Sequence, residues 1–373
     1  MTIIEDCKRI YSQIEDPRVE RNKKHPLMTV IFIVLCSSLA GIDNWVGMQD
    51  YCEANFDFFK KHFDLSGGVP SHDTIGRVMS LMNPDHFESC FFSFTQELSK
   101  QLKGVIAIDG KTVRGSNALD PAKKPLHLVS AWSEANHLVL GQVRTDEKSN
   151  EITAIPKLLE MLDLEGQIVT MDAMGCQREI ADKILKKEAD YVLALKGNQG
   201  TLHEDIQFLF EGFEKTKWKN FVGTKNESFE KNHGRIETRR VWATDDLGSL
   251  NIEHKWPGLC SVVMVESIRE AKGKKSYEKR FYISSLKADA VKIGNCIRSH
   301  WGIETKLHWV LDVTFNEDKS QISKDNAPEN LATARKWALN VIRNVKGNLS
   351  IRRMQNRLKM TGEKLSEIFF KEF

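Results

Sequence analysis

The sequence predicts an α/β fold: a mixed sheet with helices on its faces, preceded by a small helical domain. Two observations carry that prediction. Residues 1–98 place apolar side chains at helical spacing, without a sustained alternating run. From Gly104 the pattern changes to β-branched segments in the order three strands, helix, strand, helix, strand. Short antiparallel connections followed by helical crossovers suit a mixed sheet covered on both sides. A chain of 373 residues, 41% of them apolar, has room for two or three domains with a true core.

The first strongly apolar stretch, residues 27–42, is LMTVIFIVLCSSLAGI. It is shorter than the roughly 20 apolar residues a membrane span needs, so it reads as a buried helix. Pro26 suits the first turn of that helix, and Gly41 and Asp43 suit its end. Ser71 is a candidate N-cap for a helix carrying Ile75, Val78, Met79 and Met82, with Arg77 on its polar face. Asn83-Pro84 breaks it, and another helix runs from Asp85 to Leu98. VIAIDGKTV, LHLVSAWSE and HLVLGQVRTDE then read as antiparallel strands. EITAIPKLLEMLDL is helical, with Ile155, Leu158, Leu159 and Leu162 on one side. QIVTMDAM is a strand, CQREIADKILKKE a helix and DYVLALKGN a strand. Residues 197–287 form a β-rich insertion: a helix, TLHEDIQFLFEGF, then strands GRIETRRVWATD, LCSVVMVES and KRFYISSL, with REAKGKKS as an exposed loop. AVKIGNCIRSHWGIETKLHWVLDV returns as a helix to a main domain spanning 99–345, and residues 346–373 read as a basic tail.

Formal net charge is only +3, yet basic residues crowd from Arg335 to Lys371, a pattern that attracts phosphate. The seven cysteines are odd in number and include no C-x-x-C pair, against both a disulfide framework and a zinc ribbon. MTIIEDCKRI lacks an apolar signal region, so the expectation is a cytoplasmic protein with reduced thiols and no membrane contact. No Walker loop and no H-E-x-x-H motif is present, which argues against ATP-driven and zinc-peptidase chemistry.

Asp109 in IAIDGK and Asp172 in VTMDAMG each end an apolar run. A carboxylate there is costly unless paired, protonated or bound to a cation. Two such strands in one sheet can bring both acids to one edge, where their hard oxygens suit Mg²⁺ or Mn²⁺. A third acid is needed. Glu304 is the first choice, with Asp312, Glu317 and Asp318 as rivals. The plainer alternatives are a turn aspartate before glycine and a solvated helical glutamate.

IAIDGKTVRGS, VTMDAMGCQ, YVLALKGNQ and HWGIETKLHWVLDVTFNED, in that order, resemble the DDE transposases of bacterial insertion sequences, and most closely the H-repeat-associated branch found beside Rhs elements. The resemblance covers essentially the whole chain. It implies a ribonuclease H-like catalytic core in which Asp109, Asp172 and Glu304 bind two Mg²⁺ (or Mn²⁺) ions. The implied partners are double-stranded DNA, as terminal inverted repeats and target, and a second copy of the chain on that DNA. When DNA-bound the protein would lie with the nucleoid. Family members often carry Tyr, Arg and Lys at set offsets from the glutamate; here those offsets hold Ile297, His300 and Leu311, while Trp301 and Ile303 keep the W-x-I-E core. Candidate DNA contacts are Lys111, Arg114, Lys196, Asn198, Arg235, Arg298, His300 and Lys306, together with Gln199 and His233. Trp301 and Trp309 suit either core packing or base stacking, and His308 packing or a phosphate contact. Two rival functions remain: a transposase-derived protein that binds DNA without cutting, and a nuclease that cuts without joining.

Overall fold

A computed structural model of the chain describes residues 2–20, 23–98, 104–118, 122, 124–145, 151–232, 235–248, 250, 256–271, 273–360 and 362–370. His233 and Lys371 lie outside them. Six helices come first: α1 (Ile3–Tyr11), α2 (Leu27–Leu39), α3 (Trp45–Ala54), α4 (Phe56–His62), α5 (His72–Leu81) and α6 (Pro84–Leu98). In α2 every residue but Met28 is buried, so the apolar stretch is a core helix, and no helix of the described residues is long and apolar enough to cross a membrane. Pro26 stands one position earlier than expected, as the N-cap of α2. Ser71 caps α5, accepting from the Thr74 N–H at 3.3 Å, and Arg77 is exposed.

One nine-stranded sheet follows: β1 (Val105–Val113), β2 (Leu126–Ser133), β3 (Leu138–Thr145), β4 (Ile168–Met171), β5 (Asp190–Leu195), β6 (Thr224–Asn232), β7 (Arg235–Thr244), β8 (Ser261–Ala271) and β9 (Lys274–Ser284). Their spatial order is β3-β2-β1-β4-β5-β9-β8-β7-β6. β2 pairs antiparallel with both β1 and β3, whereas β1, β4 and β5 are parallel, and β4 and β5 are reached through α7 (Glu151–Met161) and α8 (Arg178–Lys186). That arrangement is the ribonuclease H-like core. The insertion enlarges it in the same plane: after α9 (Gly200–Lys215), a four-stranded meander returns so that β9 pairs antiparallel with β5.

Side-chain alternation gives the sheet two apolar faces. Ile106 and Ile108 of β1, Val169 and Met171 of β4, and Leu193 of β5 pack with α7 and α8. On the other face Val192 meets α10 (Ala290–Gly302), while Ala107 and Trp132 join the core around α12 (Ala327–Val345). Between α10 and α11 (Trp309–Val313) runs a π-helical turn, Ile303–His308, so the long helix expected there is three segments.

Three differences from expectation have physical causes. β6, TKNESFEKN, lacks apolar alternation because it is an edge strand, and edge strands are kept polar against stray pairing. REAKGKKS is not a loop: apart from residue 272, which lies outside the described residues, it builds the paired end of β8 and β9. Residues 346–373 hold α13 (Ile351–Met360) and α14 (Gly362–Phe369), whose Leu358, Leu365 and Phe369 enter the same core as α2 and α12. Basic residues in this region are amphipathic helix faces, and Arg335 and Lys336 of α12 are buried outright.

The burial of Lys336 depends on a polar network joining the N-terminal helices to the sheet. Glu88 of α6 accepts from the Gln142 backbone N–H and from the Thr333 hydroxyl, each at 3.0 Å, and Lys336 donates to the Gln142 side-chain carbonyl. Next to it, Asn340 exchanges two hydrogen bonds of 2.9 Å with the Val139 backbone, closing the β3 edge as a further strand would. Burial pushes the Glu88 carboxyl up to about 7, against the opposing pull of Lys336. A raised carboxyl binds its proton more firmly folded than unfolded, so its contribution is present below about pH 4.5 and lost as pH rises towards 7. Unfolding titrations should therefore show the wild type losing roughly 1–3 kcal/mol relative to Glu88→Gln between pH 4.5 and 7. A difference that does not vary with pH would remove Glu88 from this role.

Candidate active site

Strand register brings the two aspartates together. Ile108 pairs with Met171 at the end of the parallel β1–β4 ladder, so Asp109 follows in β1 and Asp172 is the first residue past β4, on strands about 4.8 Å apart. Ile108 and Met171 face α7 and α8; the next residues therefore face α10. Asp172 begins a turn, and its Oδ1 accepts from the N–H groups of Met174 (2.9 Å) and Gly175 (3.4 Å). Glu304 is exposed in the π-helical turn at the end of α10. All three acids line one cavity of about 590 Å³, whose far wall is built by α9 and β9 with Phe210, Phe281 and Tyr282.

Asp109 has its carboxyl pushed up to about 7, chiefly by burial, then by the charge of Asp172, with Glu151 and Glu304 adding. Among the described residues, no three His, Cys, Asp or Glu side chains are gathered closely enough to hold a metal ion. The donor set fits a hard divalent cation, because Asp109, Asp172 and Glu304 offer only carboxylate oxygen to the cavity.

Behind Asp109 stands a buried pair that the sequence reading missed. His127 Nε2 lies 2.7 Å from Glu151 Oε1, and its Nδ1 lies 2.8 Å from the Thr112 hydroxyl. The pair crosses β1 at Gly110, where an added Cβ would stand 2.3 Å from the Glu151 carboxylate and 2.7 Å from the imidazole. Glycine beside the aspartate is thus a demand for space, a signal that the words "turn residue" had hidden.

The cations expected to meet DNA are mostly engaged. Lys111 donates to Glu317 (2.8 Å) and Asp318 (3.2 Å) and forms an ion pair with Asp312 at 2.7 Å, so three carboxylates surround its ammonium. The same contacts engage Glu317: it is fully buried, and Lys111 with Lys336 and Arg335 holds its carboxyl below the usual range despite burial. Arg298 pairs with Glu230 at 2.9 Å, Lys306 with Glu134, Arg114 with Asp318 at 3.6 Å and Arg235 with Glu237 at 3.6 Å. Asn198 and Gln199 donate to the carbonyls of Ala173 and Cys176, tying the loop after β5 to the turn after β4. His300 is held by the Thr170 hydroxyl at 3.0 Å, and burial lowers its imidazole to about 4. Lys196 is exposed on the cavity wall, with no ion pair among the described residues. Trp301 lies under the Arg280 guanidinium at 4.7 Å, whereas Trp309 is 57% exposed and so no core residue.

Comparison with known proteins gives the family. Residues 100–341 match the family described as "Transposase DDE domain", and residues 9–95 match "DDE_Tnp_1-associated". The chain belongs to the DDE transposase family. It is 43% identical over 340 residues to "Putative transposase YncI" of Escherichia coli O157:H7, covering 90% of this chain and 86% of that protein. It is 41% identical over 344 residues to "H repeat-associated putative transposase YhhI" of Escherichia coli (strain K12), covering 90% and 89%. These relatives make this DDE transposase family member one of the H-repeat type. A solved piggyBac transposase synaptic complex with hairpin DNA overlays with a TM-score of 0.44 at 12% identity, covering 98% of this chain and 78% of the other.

The close approach at Gly110 generates a test within the family fold. Gly110→Ala should lower stability by about 1–3 kcal/mol in chemical denaturation, because the new methyl displaces the Glu151–His127 pair. Unchanged stability would mean that this pair yields freely.

Proposed function

We propose that this chain is an active DNA transposase. It would cleave DNA strands at the ends of its element and join the freed 3′-hydroxyl to target DNA, with Asp109, Asp172 and Glu304 holding two Mg²⁺ or Mn²⁺ ions. The observation that carries the reading is the adjacency of Asp109 and Asp172 on parallel strands, on the face whose cavity Glu304 also lines. When bound, such a pair of ions activates an attacking oxygen and stabilises a leaving one in phosphoryl transfer.

The remaining work falls to the protein's own side chains. Asp172 has Oδ1 occupied by backbone N–H groups, which leaves Oδ2 as the ligand atom. Asp109, with a carboxyl near 7, would exchange its proton for a cation at neutral pH. Lys196 would meet the phosphate backbone at the cavity mouth. Both steps are in-line displacements at phosphorus, so one site can serve each in turn. Two element ends must meet for recombination, and the proposed assembly is a homodimer on double-stranded DNA.

Two experiments follow. Asp109→Asn, Asp172→Asn and Glu304→Gln should each abolish strand cleavage of element-end DNA while DNA affinity stays within about threefold, since affinity comes mainly from cations on phosphate. Cleavage retained by Asp172→Asn removes that assignment, and cleavage without strand transfer by the wild type makes the protein a nuclease. Lys196→Ala should weaken binding evenly across DNA sequences and reduce the salt dependence of log K by about one unit. An unchanged salt slope would place the phosphates elsewhere.

A further inference from the structure

Glu304 and His308 stand one turn apart on the same π-helical segment, yet only Glu304 reaches the open cavity. His308 points inward. Its side chain is 13% exposed, and its Nδ1 lies 3.6 Å from Asp109 Oδ2. The two aspartates differ in how they are held. Asp172 is fixed by the two N–H groups of its own turn, whereas Asp109 sits within a strand, where the Gly110 N–H is the backbone group that acts on its carboxyl.

We propose that His308 is a positioning residue that fixes the Asp109 carboxylate by directing an Nδ1–H at Oδ2, and so sets the orientation in which Asp109 takes a divalent cation. The inference rests on the metal-binding reading above. The ring faces Lys111 from β1, Lys336 from α12, Glu317 from the segment after α11 and His300 from α10. The tautomer follows from the surroundings. Nε2 is buried without a hydrogen-bond partner, and a buried N–H with no acceptor is a costly arrangement. A proton on Nδ1 instead meets a carboxylate oxygen. The 3.6 Å separation stands just beyond hydrogen-bond length, and a shift of roughly 0.6 Å closes it. An imidazole N–H suits the task, because a hydrogen bond to one carboxylate oxygen stabilises the ionised form and fixes its orientation.

The test is Mn²⁺ binding to the full-length protein, measured by calorimetry beside thermal unfolding, for the wild type, His308→Asn, His308→Leu and Asp172→Asn. Asparagine keeps an N–H near the Nδ1 position, and leucine keeps bulk without a donor. The expected result is wild-type affinity within about threefold for His308→Asn and a loss of roughly 10–100-fold for His308→Leu, with both folded. His308→Phe replaces the leucine variant should that one unfold. Unaltered Mn²⁺ affinity in the donor-less variant overturns the inference, as does an equal loss in both variants at unchanged unfolding temperature. If the wild type shows no Mn²⁺ binding that Asp172→Asn removes, the metal reading fails and this one with it. Binding that depends on Asp172 but is indifferent to His308 defeats the positioning role alone.

Discussion

Two carboxylates on adjacent parallel strands repel each other, and much of the surrounding structure follows from keeping them there. The last β1–β4 pair, Ile108 with Met171, immediately precedes both acids and brings their starting points together. Asp172 is steadied by backbone N–H groups, which tolerate its charge. Asp109 is instead driven towards protonation near neutral pH. The strain is local and electrostatic, and the fold resists it with packing on both sides: α7 and α8 on one face, α10 and α12 on the other. A site arranged this way is rigid in position but unsettled in charge.

The parts of this design visible in the sequence are those written in apolar periodicity. IAIDGK and VTMDAMG announce buried strands ending in acids, and their parallel pairing follows from the crossover helix between them. The helices α2, α5, α6, α8 and α9 were legible for the same reason. Elements whose side chains face water or charge were not. β6 is too polar to read as a strand, and the paired end of β8 and β9 reads as a lysine-rich loop. The role of α12 was hidden as well. Its Arg335 and Lys336 look like surface cations, and only the folded chain shows them inside, against Glu317 and Glu88.

The same limit applies to the site. Type and spacing could nominate Asp109, Asp172 and Glu304, but could not separate Glu304 from Glu317 without the family resemblance. Their surroundings differ in the folded chain: Glu317 is enclosed and paired with Lys111, whereas Glu304 is exposed at the cavity. Lys111 moves from a presumed phosphate contact to a structural cation for the same reason. A buried lysine with three carboxylates cannot leave them without stranding charge in a low-dielectric setting.

Exposure also sorts the remaining cations. The pairs of Arg298 with Glu230 and Lys306 with Glu134 are nearly half exposed on the basic side, and such pairs are worth only about 0–1 kcal/mol in water. An incoming phosphate can displace a carboxylate there at little cost. The cluster around Lys111 offers no such exchange. A chain with 54 basic and 51 acidic residues can therefore be close to neutral while free and still present positive charge to a polyanion, because its surface pairs open and its buried ones do not. Net charge alone conceals that capacity; the distribution of burial among the pairs reveals it.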